Sequence, residues 1–127
     1  MARVVLDATA ILALLGGEAG AEVVRAHLGE AIVSAVSLEE VLALEARRGV
    51  PVDAAAERLQ AMPWRVVAFD AVMARLAAAL IPATRAAGLG FGERACLALA
   101  QLLDLPVFTA DPAWARLSVD ITIRLIG

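Results

Sequence analysis

Short apolar runs alternate with longer, helix-length segments along the whole chain. The first run, Val4-Val5-Leu6, and three later ones are typical of strands that are covered on both faces. A fifth run near the end shows only partial alternation of apolar and polar residues, which favours a strand at the edge of a sheet. The predicted strands are residues 4–6, 31–36, 64–69, 106–109 and 121–126.

Apolar residues recur at helical spacing in the segments between these runs. The predicted helices are residues 8–15, 18–29, 37–48, 52–62 and 93–103, with a further helix capped by Asp70 that Pro82 should kink or shorten. Strands separated by helices indicate an α/β fold. We expect a single domain over residues 1–127, with a mostly parallel sheet of four to five strands flanked by helices on both faces.

The composition is unusually apolar, with 61% hydrophobic residues and a mean hydropathy of +0.80. Either helices are covered on more than one side, or an apolar face is reserved for another subunit. No stretch reaches the roughly 20 uninterrupted apolar residues that a bilayer requires. Asp7 interrupts the N-terminal apolar run, which argues against a secretion signal. We therefore expect a cytoplasmic protein without a membrane segment.

The charged and metal-binding residue types exclude several kinds of site. A single cysteine, Cys96, cannot form an internal disulfide, and with the single histidine, His27, it cannot form an ordinary zinc site. His27 lies among charged residues, which indicates a solvated helix face. All 11 basic residues are arginine and the net charge is −3. A nucleic acid would therefore be held by local arginines or metal ions and not by a broad basic surface.

Four acids occupy similar places relative to the predicted elements. Asp7 ends the first strand and Asp111 follows the fourth, while Glu40 lies in the first turn after the second strand. Glu93 opens the helix that follows the glycine-rich loop 88–92. Because parallel strands end at the same edge of a sheet, all four carboxylates can converge on one rim.

Each of these acids also has a purely structural explanation. Asp7 and Asp111 are suitable helix N-caps, the latter followed by proline. Ser37 and Glu40 have the spacing of a capping box, and Glu93 complements the positive end of a helix dipole. An α/β fold brings helix starts to one rim in any case, so these residues alone make a site plausible without establishing it.

The chemistry of several carboxylates in one place favours a metal site. Such groups repel one another, and some become protonated unless a cation lies among them. Oxygen ligands suit Mg²⁺ or Mn²⁺, which can activate water and stabilise a phosphate under attack. A nucleophilic triad is not available, because His27 is distant in the chain from any serine of the rim. These acids are best suited to metal-assisted hydrolysis of a phosphodiester.

Four sequence blocks together resemble the PIN-domain ribonucleases, and in particular the VapC-type toxins of prokaryotic toxin–antitoxin pairs. The blocks are Val5-Leu6-Asp7-Ala8-Thr9-Ala10, the segment 34–41 (SAVSLEEV), the segment 88–98 (GLGFGERACLA) and the segment 107–114 (VFTADPAW). Each block is a weak signal, but four of them in this order in a chain of 127 residues are specific.

The resemblance implies roles for particular residues. Asp7, Glu40, Glu93 and Asp111 would form a cluster that binds Mg²⁺ or Mn²⁺, and Thr9 would support the first aspartate. It also implies RNA as substrate, a homodimer and a cognate antitoxin that covers the site. Two positions depart from the family pattern: Glu93 stands where aspartate is usual, and Ser37 stands where asparagine is frequent.

These observations leave three functional hypotheses. The first is a metal-dependent endoribonuclease acting as a toxin, in which Arg94 either contacts phosphate or forms a surface ion pair. The second is an inactive binding module that keeps the fold, which the longer Glu93 side chain invites. The third, a phosphoryl-transfer domain of the receiver or dehalogenase type, ranks last because such sites rely on a lysine and this chain has none.

Overall fold

Five short strands form one parallel sheet in the order β3-β2-β1-β4-β5. The computed structural model describes residues 1–127. The strands are β1 (Val4–Leu6), β2 (Ala31–Ser34), β3 (Arg65–Val67), β4 (Val107–Thr109) and β5 (Ile123–Leu125). Strand β5 lies at an edge, as its partial alternation predicted, and β3 forms the other edge.

Seven helices and two 3₁₀ turns connect or follow these strands. The helices are α1 (Ala8–Gly16), α2 (Ala21–Ala26), α3 (Ala35–Arg47), α4 (Val52–Gln60), α5 (Ala71–Ala79), α6 (Ile81–Thr84) and α7 (Phe91–Leu103). The 3₁₀ turns are Leu28–Glu30 and Pro112–Arg116. Pro82 lies in the first turn of α6, so the predicted interruption after α5 is confirmed. None of the helices combines the length and the apolar character needed to cross a bilayer.

Two hydrophobic cores lie on opposite faces of the sheet. Val4 and Leu6 of β1 point into one core with residues of α1 to α4, whereas Val5 points into the other with residues of α5 and α7. This alternation follows from the two-residue period of a strand. The predicted α/β fold, with helices on both faces of a parallel sheet, is therefore confirmed.

Several predicted helix boundaries were wrong. Helix α3 begins at Ala35, because the Ser34 hydroxyl caps it by accepting the Val36 amide at 3.1 Å. Ser37 is a buried residue inside the helix, so the capping box predicted for Ser37 and Glu40 does not form. The predicted helix 18–29 is shortened to α2 and a 3₁₀ turn.

The predicted solvated position of His27 was also wrong. Its ring is half-buried, and Nδ1 is 2.8 Å from the Val23 carbonyl oxygen. The ring packs edge-on against Phe108, with the two ring centroids 5.1 Å apart. His27 therefore has a packing role in the first core, on β4.

The chain leaves β1 and β4 towards opposite sides of the sheet. Strand β1 leads through α1 and α2 to β2, its neighbour on one side, and β4 leads to β5 on the other. Strand order thus reverses between β1 and β4, and ligands of parallel α/β sheets bind in the crevice at such a point. Asp7 and Asp111 follow directly from these two strands.

Candidate active site

Asp7 is the most enclosed carboxylate of the structure, with only 3% of its surface exposed. It is the N-cap of α1, and its Oδ1 accepts the Ala10 amide at 2.8 Å. The Thr9 hydroxyl lies 2.7 and 2.9 Å from the two carboxylate oxygens, and the Thr109 hydroxyl donates to Oδ2 at 2.5 Å. Asp7 therefore caps a helix and is also held in place from the neighbouring strand.

Two threonine hydroxyls join the ends of β1 and β4. The Thr9 hydroxyl accepts the Ala110 amide at 2.9 Å, and the Thr109 hydroxyl accepts the Asp111 amide at 3.1 Å. Each hydroxyl thus accepts a hydrogen bond from a backbone amide just after β4 and donates its own hydrogen bond to the Asp7 carboxylate. The network fixes the Asp7 carboxylate relative to the backbone of Asp111.

Sequence reasoning identified Thr9 but missed Thr109. The two strands pair with Leu6 opposite Phe108, which brings Thr109 next to Asp7. The available signal was that Thr109 is a polar residue at the end of a buried strand. This signal points to Asp7 only when β1 and β4 are known to be neighbours. Thr109 is fully buried.

Asp111 begins the 3₁₀ turn Pro112–Arg116, where its Oδ1 accepts the Ala113 amide at 3.0 Å. Its capping role agrees with the sequence pattern of aspartate followed by proline. Since Oδ2 has no such bond to the turn, one carboxylate oxygen of Asp111 remains available to a ligand.

Glu40 and Glu93 reach the same region from helices α3 and α7. Gly92 leaves room for the Glu40 carboxylate, because a Cβ atom at this position would overlap the carboxylate oxygens. Glu93 lies in the first turn of α7, where its Oε2 accepts the Gly90 amide at 2.9 Å. In this conformation Glu93 therefore stabilises the N-terminus of α7, as its position at the start of a helix predicted. Gly92 was missed as a separate functional position.

One cleft of about 330 Å³ brings the predicted site residues together. The predicted residues among its lining are Asp7, Thr9, Glu40, Glu93 and Asp111. Ser37, Glu39, Arg47 and Trp114 also contribute to the lining. The Trp114 ring is buried, and its Nε1 has no hydrogen-bond partner.

Arg94 does not belong to the lining of this cleft. Its guanidinium donates to the Leu89 carbonyl at 3.2 Å, and its Nε is buried without a partner. In this conformation Arg94 fastens the start of α7 to the preceding loop. The contact with phosphate suggested from the sequence stays a prediction.

Burial and mutual repulsion raise the pKa of two acids in the cleft. Burial raises the pKa of Asp7 above its usual value, although the bonds from Thr109, Ala10 and Thr9 act in the opposite direction; the Asp111 charge adds to the increase. Burial, followed by the charges of Glu93, Asp7 and Glu39, raises the pKa of Glu40 to about 7. The cleft therefore has an excess of negative charge that a cation would relieve.

The donor chemistry of the cleft fits a hard divalent ion. The acids offer only oxygen ligands, as Mg²⁺ and Mn²⁺ prefer, and their repulsion would be offset by such an ion. As the side chains stand, however, no three Asp, Glu, His or Cys groups are close enough together to hold one ion. Coordination of one ion by three of these groups would therefore require at least one carboxylate to change rotamer. For Glu93, such a change would break the hydrogen bond that its Oε2 accepts from the Gly90 amide.

Comparisons with known proteins agree with this fold. The family profile of the PIN domain matches residues 4–120, so the chain belongs to the PIN domain family. The family predicted from the four sequence blocks is thereby confirmed. No curated protein gives a significant match.

Several solved structures share the fold at low sequence identity. The DNA-bound VapBC of Salmonella typhimurium has a TM-score of 0.76 and 16% identity, with 100% of both chains covered. A toxin–antitoxin complex from Klebsiella pneumoniae has a TM-score of 0.71 and 18% identity, covering 91% of this chain and 92% of that one. Mycobacterium tuberculosis VapC20, a toxin that cleaves the sarcin-ricin loop, has a TM-score of 0.72 and 20% identity, covering 94% and 98%.

Proposed function

We propose that this PIN-domain protein is a divalent-metal-dependent endoribonuclease that hydrolyses RNA phosphodiester bonds. The observation that carries the proposal is the convergence of Asp7, Glu40, Glu93 and Asp111 on one cleft at the crossover between β1 and β4. Solved structures with the same fold include a toxin that cleaves the sarcin-ricin loop, which supports RNA as the substrate class.

The four acids would hold Mg²⁺ or Mn²⁺, with Thr9 orienting Asp7. The bound ion would supply an activated water and stabilise the charge that develops on the phosphate. Asp7 contributes a carboxylate whose position is fixed by two hydroxyls and an amide, so little reorganisation is needed at this ligand. Burial and the neighbouring carboxylates raise the pKa of Glu40 to about 7, and a bound cation would favour its ionised, ligating form.

A cleavage assay with matched variants tests this proposal. Purified protein is incubated with structured RNAs, with Mg²⁺, with Mn²⁺ or with a chelator. We expect metal-dependent cleavage that Asp7→Asn reduces by at least about 10- to 100-fold, the loss typical when even a group that supports a metal ligand is removed. Asp70→Asn is the control, because Asp70 caps α5 through the Met73 amide, as Asp7 caps α1, but lies outside the cleft. Cleavage that proceeds equally with a metal ion and with a chelator, or that Asp7→Asn does not reduce, would refute the proposal.

We also propose that the protein acts in the cytoplasm as the toxin of a type II toxin–antitoxin pair, as a homodimer with a cognate antitoxin. Solved proteins of the same fold include toxin–antitoxin complexes, which supports this assignment. Exposed large apolar residues, among them Val72, Phe91 and Leu102, offer surface for such partners. Sedimentation of the protein alone, and after co-expression with the product of a neighbouring gene, tests the two assemblies.

An inactive binding module is the second candidate. The hydrogen bond from the Gly90 amide to Glu93 favours it, because this bond occupies a carboxylate oxygen. The spacing of the acids also favours it, because no three of them are close enough together to hold one ion. Calorimetric titration separates the candidates: the enzyme should bind Mn²⁺ at millimolar concentration or below, and the module should not.

A further inference from the structure

The acidic cleft has an excess of negative charge, and its proposed substrate, RNA, is also negatively charged. Five carboxylates line it, those of Asp7, Glu39, Glu40, Glu93 and Asp111. Arg47 is the one basic residue in the lining. The protein has a net charge of −3, so no general basic surface attracts a polyanion. An RNA strand that enters this cleft therefore needs a local cation besides the proposed metal ion.

Arg47 lies on the same face of α3 as Glu40, the face that lines the acidic cleft. Ser37, Glu40 and Arg47 all contribute to the cleft lining at helical spacing. Arg47 lies seven positions after Glu40, which corresponds to a rise of about 10 Å along the helix. The distance indicates that Arg47 acts beside the reacting phosphate, at a neighbouring nucleotide, and not among the metal ligands.

The guanidinium of Arg47 is free to bind a ligand. The two ion pairs of the structure, Arg3 with Glu30 and Arg25 with Glu22, do not involve it. The Arg47 side chain is exposed. Arg47 thus forms no ion pair with the acids of the cleft.

Neighbouring arginines do not share this position. Arg94 lies outside the cleft lining and donates to the Leu89 carbonyl. Arg48 lines a different depression, with Glu45 and Arg58. Arg47 and Arg48 both lie at the C-terminal end of α3, where a positive charge is favourable, so they differ mainly in the surface they face.

We propose that Arg47 is a substrate-binding residue that contacts an RNA phosphate next to the scissile bond. The planar guanidinium offers paired donors that match phosphate oxygens. This proposal rests on the endoribonuclease function proposed above, because it takes RNA as the occupant of the cleft.

The test compares Arg47→Ala, Arg47→Lys and Arg48→Ala. Binding of a labelled single-stranded RNA is measured by fluorescence anisotropy in the Asp7→Asn background, so that the RNA stays intact. We expect Arg47→Ala to weaken binding about 10-fold, as for the loss of one charge-assisted hydrogen bond. The slope of log K against log salt should fall by about 0.7, the value for one phosphate contact on a single strand. Lysine should restore part of the affinity and the salt slope.

Kinetics of the same substitutions in the active protein give the second readout. Arg47→Ala should raise KM about 10-fold with little change in kcat, because the contact exists before and during the reaction. Arg48→Ala should behave like the wild type in binding and kinetics, and all variants should keep their thermal stability. Equal effects of Arg47→Ala and Arg48→Ala in an active protein overturn this inference alone. A wild-type protein that neither binds nor cleaves RNA overturns the proposed function, and this inference with it.

Discussion

Asp7 is buried as deeply as a core residue, yet the proposed chemistry requires it to be charged. Burial raises its pKa, and the hydrogen bonds that it accepts from Thr109, Ala10 and Thr9 lower it. These donors therefore favour the ionised form that a metal ligand needs. The Thr109 hydroxyl matters most among the side-chain donors, because its effect on the pKa exceeds that of Thr9.

Replacing Thr109 with valine removes this donor while keeping the branched shape. It leaves one bond fewer on the Asp7 carboxylate and removes the acceptor of the Asp111 amide. We expect the free energy of unfolding to fall by about 1–3 kcal/mol, the cost of leaving buried polar groups unpaired. RNA cleavage should fall as well. Urea unfolding and the cleavage assay measure the two effects.

Thr84→Val is the matched control for this substitution. Thr84 is also buried, but its hydroxyl donates to the Leu80 carbonyl, which already accepts the Thr84 amide. Its loss leaves no acceptor unpaired and should cost less than about 1 kcal/mol. Equal losses of stability in the two variants, with cleavage retained in Thr109→Val, would contradict the role assigned to Thr109.

Helices α3 and α7 are in contact, and at Gly92 the Glu40 carboxylate occupies the space that a Cβ atom would fill. Gly92→Ala would force this carboxylate to move, which a flexible side chain does at little cost. We expect the free energy of unfolding to change by less than about 1 kcal/mol while cleavage falls about 10- to 100-fold, the effect of a misplaced catalytic group. Activity and urea unfolding are measured side by side.

Gly29→Ala is the control for this position, because a Cβ atom at Gly29 meets no other atom within 4 Å. It should leave cleavage unchanged. If Gly92→Ala retains full activity, the position of Glu40 in the structure is not the one required for catalysis.

The C-terminus of α7 offers a stabilising substitution remote from the site. Asp104 caps this helix in the left-handed conformation, with φ 53°, which is unfavourable for a residue with a Cβ atom. Its negative charge also faces the negative end of the helix dipole. Asp104→Gly should raise the free energy of unfolding by about 0.5–1 kcal/mol without changing cleavage. A loss of stability in urea unfolding would show that the Asp104 side chain makes a favourable contact.

Sequence pattern was most informative for elements whose signal is local. The β-branched run at β1 and the aspartate–proline pair after β4 defined their boundaries closely. The start of α3 was misplaced because two serines three residues apart both fit an N-cap. Ser34 takes that role because it is the last residue of β2, paired with Val67 of β3, and this pairing is not visible in the sequence.

The site was recoverable from sequence only in part, for the same reason. The four acids stand out because each follows a predicted strand or opens a helix. Thr109, Gly92 and Arg47 become significant only when β1 lies beside β4 and α3 beside α7, which are contacts between distant parts of the chain. Arg94 was considered because it adjoins Glu93 in sequence, whereas in the structure Arg47, and not Arg94, lines the cleft.

The stability of the whole molecule should depend on pH through the acidic cleft. The pKa of Glu40 is raised from 4.5 to about 7, so the folded protein holds this proton more tightly than the unfolded chain. This contribution to stability is fully present below about pH 4.5 and is lost as the pH rises through 7. The direction of the Asp7 shift has the same consequence.

Glu40→Gln tests this dependence. The variant should lose less stability than the wild type between pH 5 and 8. At pH 8 it should be the more stable protein by on the order of 1 kcal/mol, after allowance for solvent screening of a half-buried group. Urea unfolding at several pH values provides the comparison. Glu45→Gln, on the same helix but outside the cleft, is the control. Parallel profiles for wild type and Glu40→Gln would show that Glu40 does not carry the effect.

The central claim is that carboxylates from four separated parts of the chain share a divalent ion after a side-chain rearrangement. Anomalous diffraction from crystals soaked in Mn²⁺ tests it most directly. The account predicts a manganese peak in the cleft, roughly 2.0–2.6 Å from oxygens of Asp7 and of at least two of Glu40, Glu93 and Asp111. A cleft without such a peak at saturating Mn²⁺, in crystals whose acids keep the present arrangement, would contradict it.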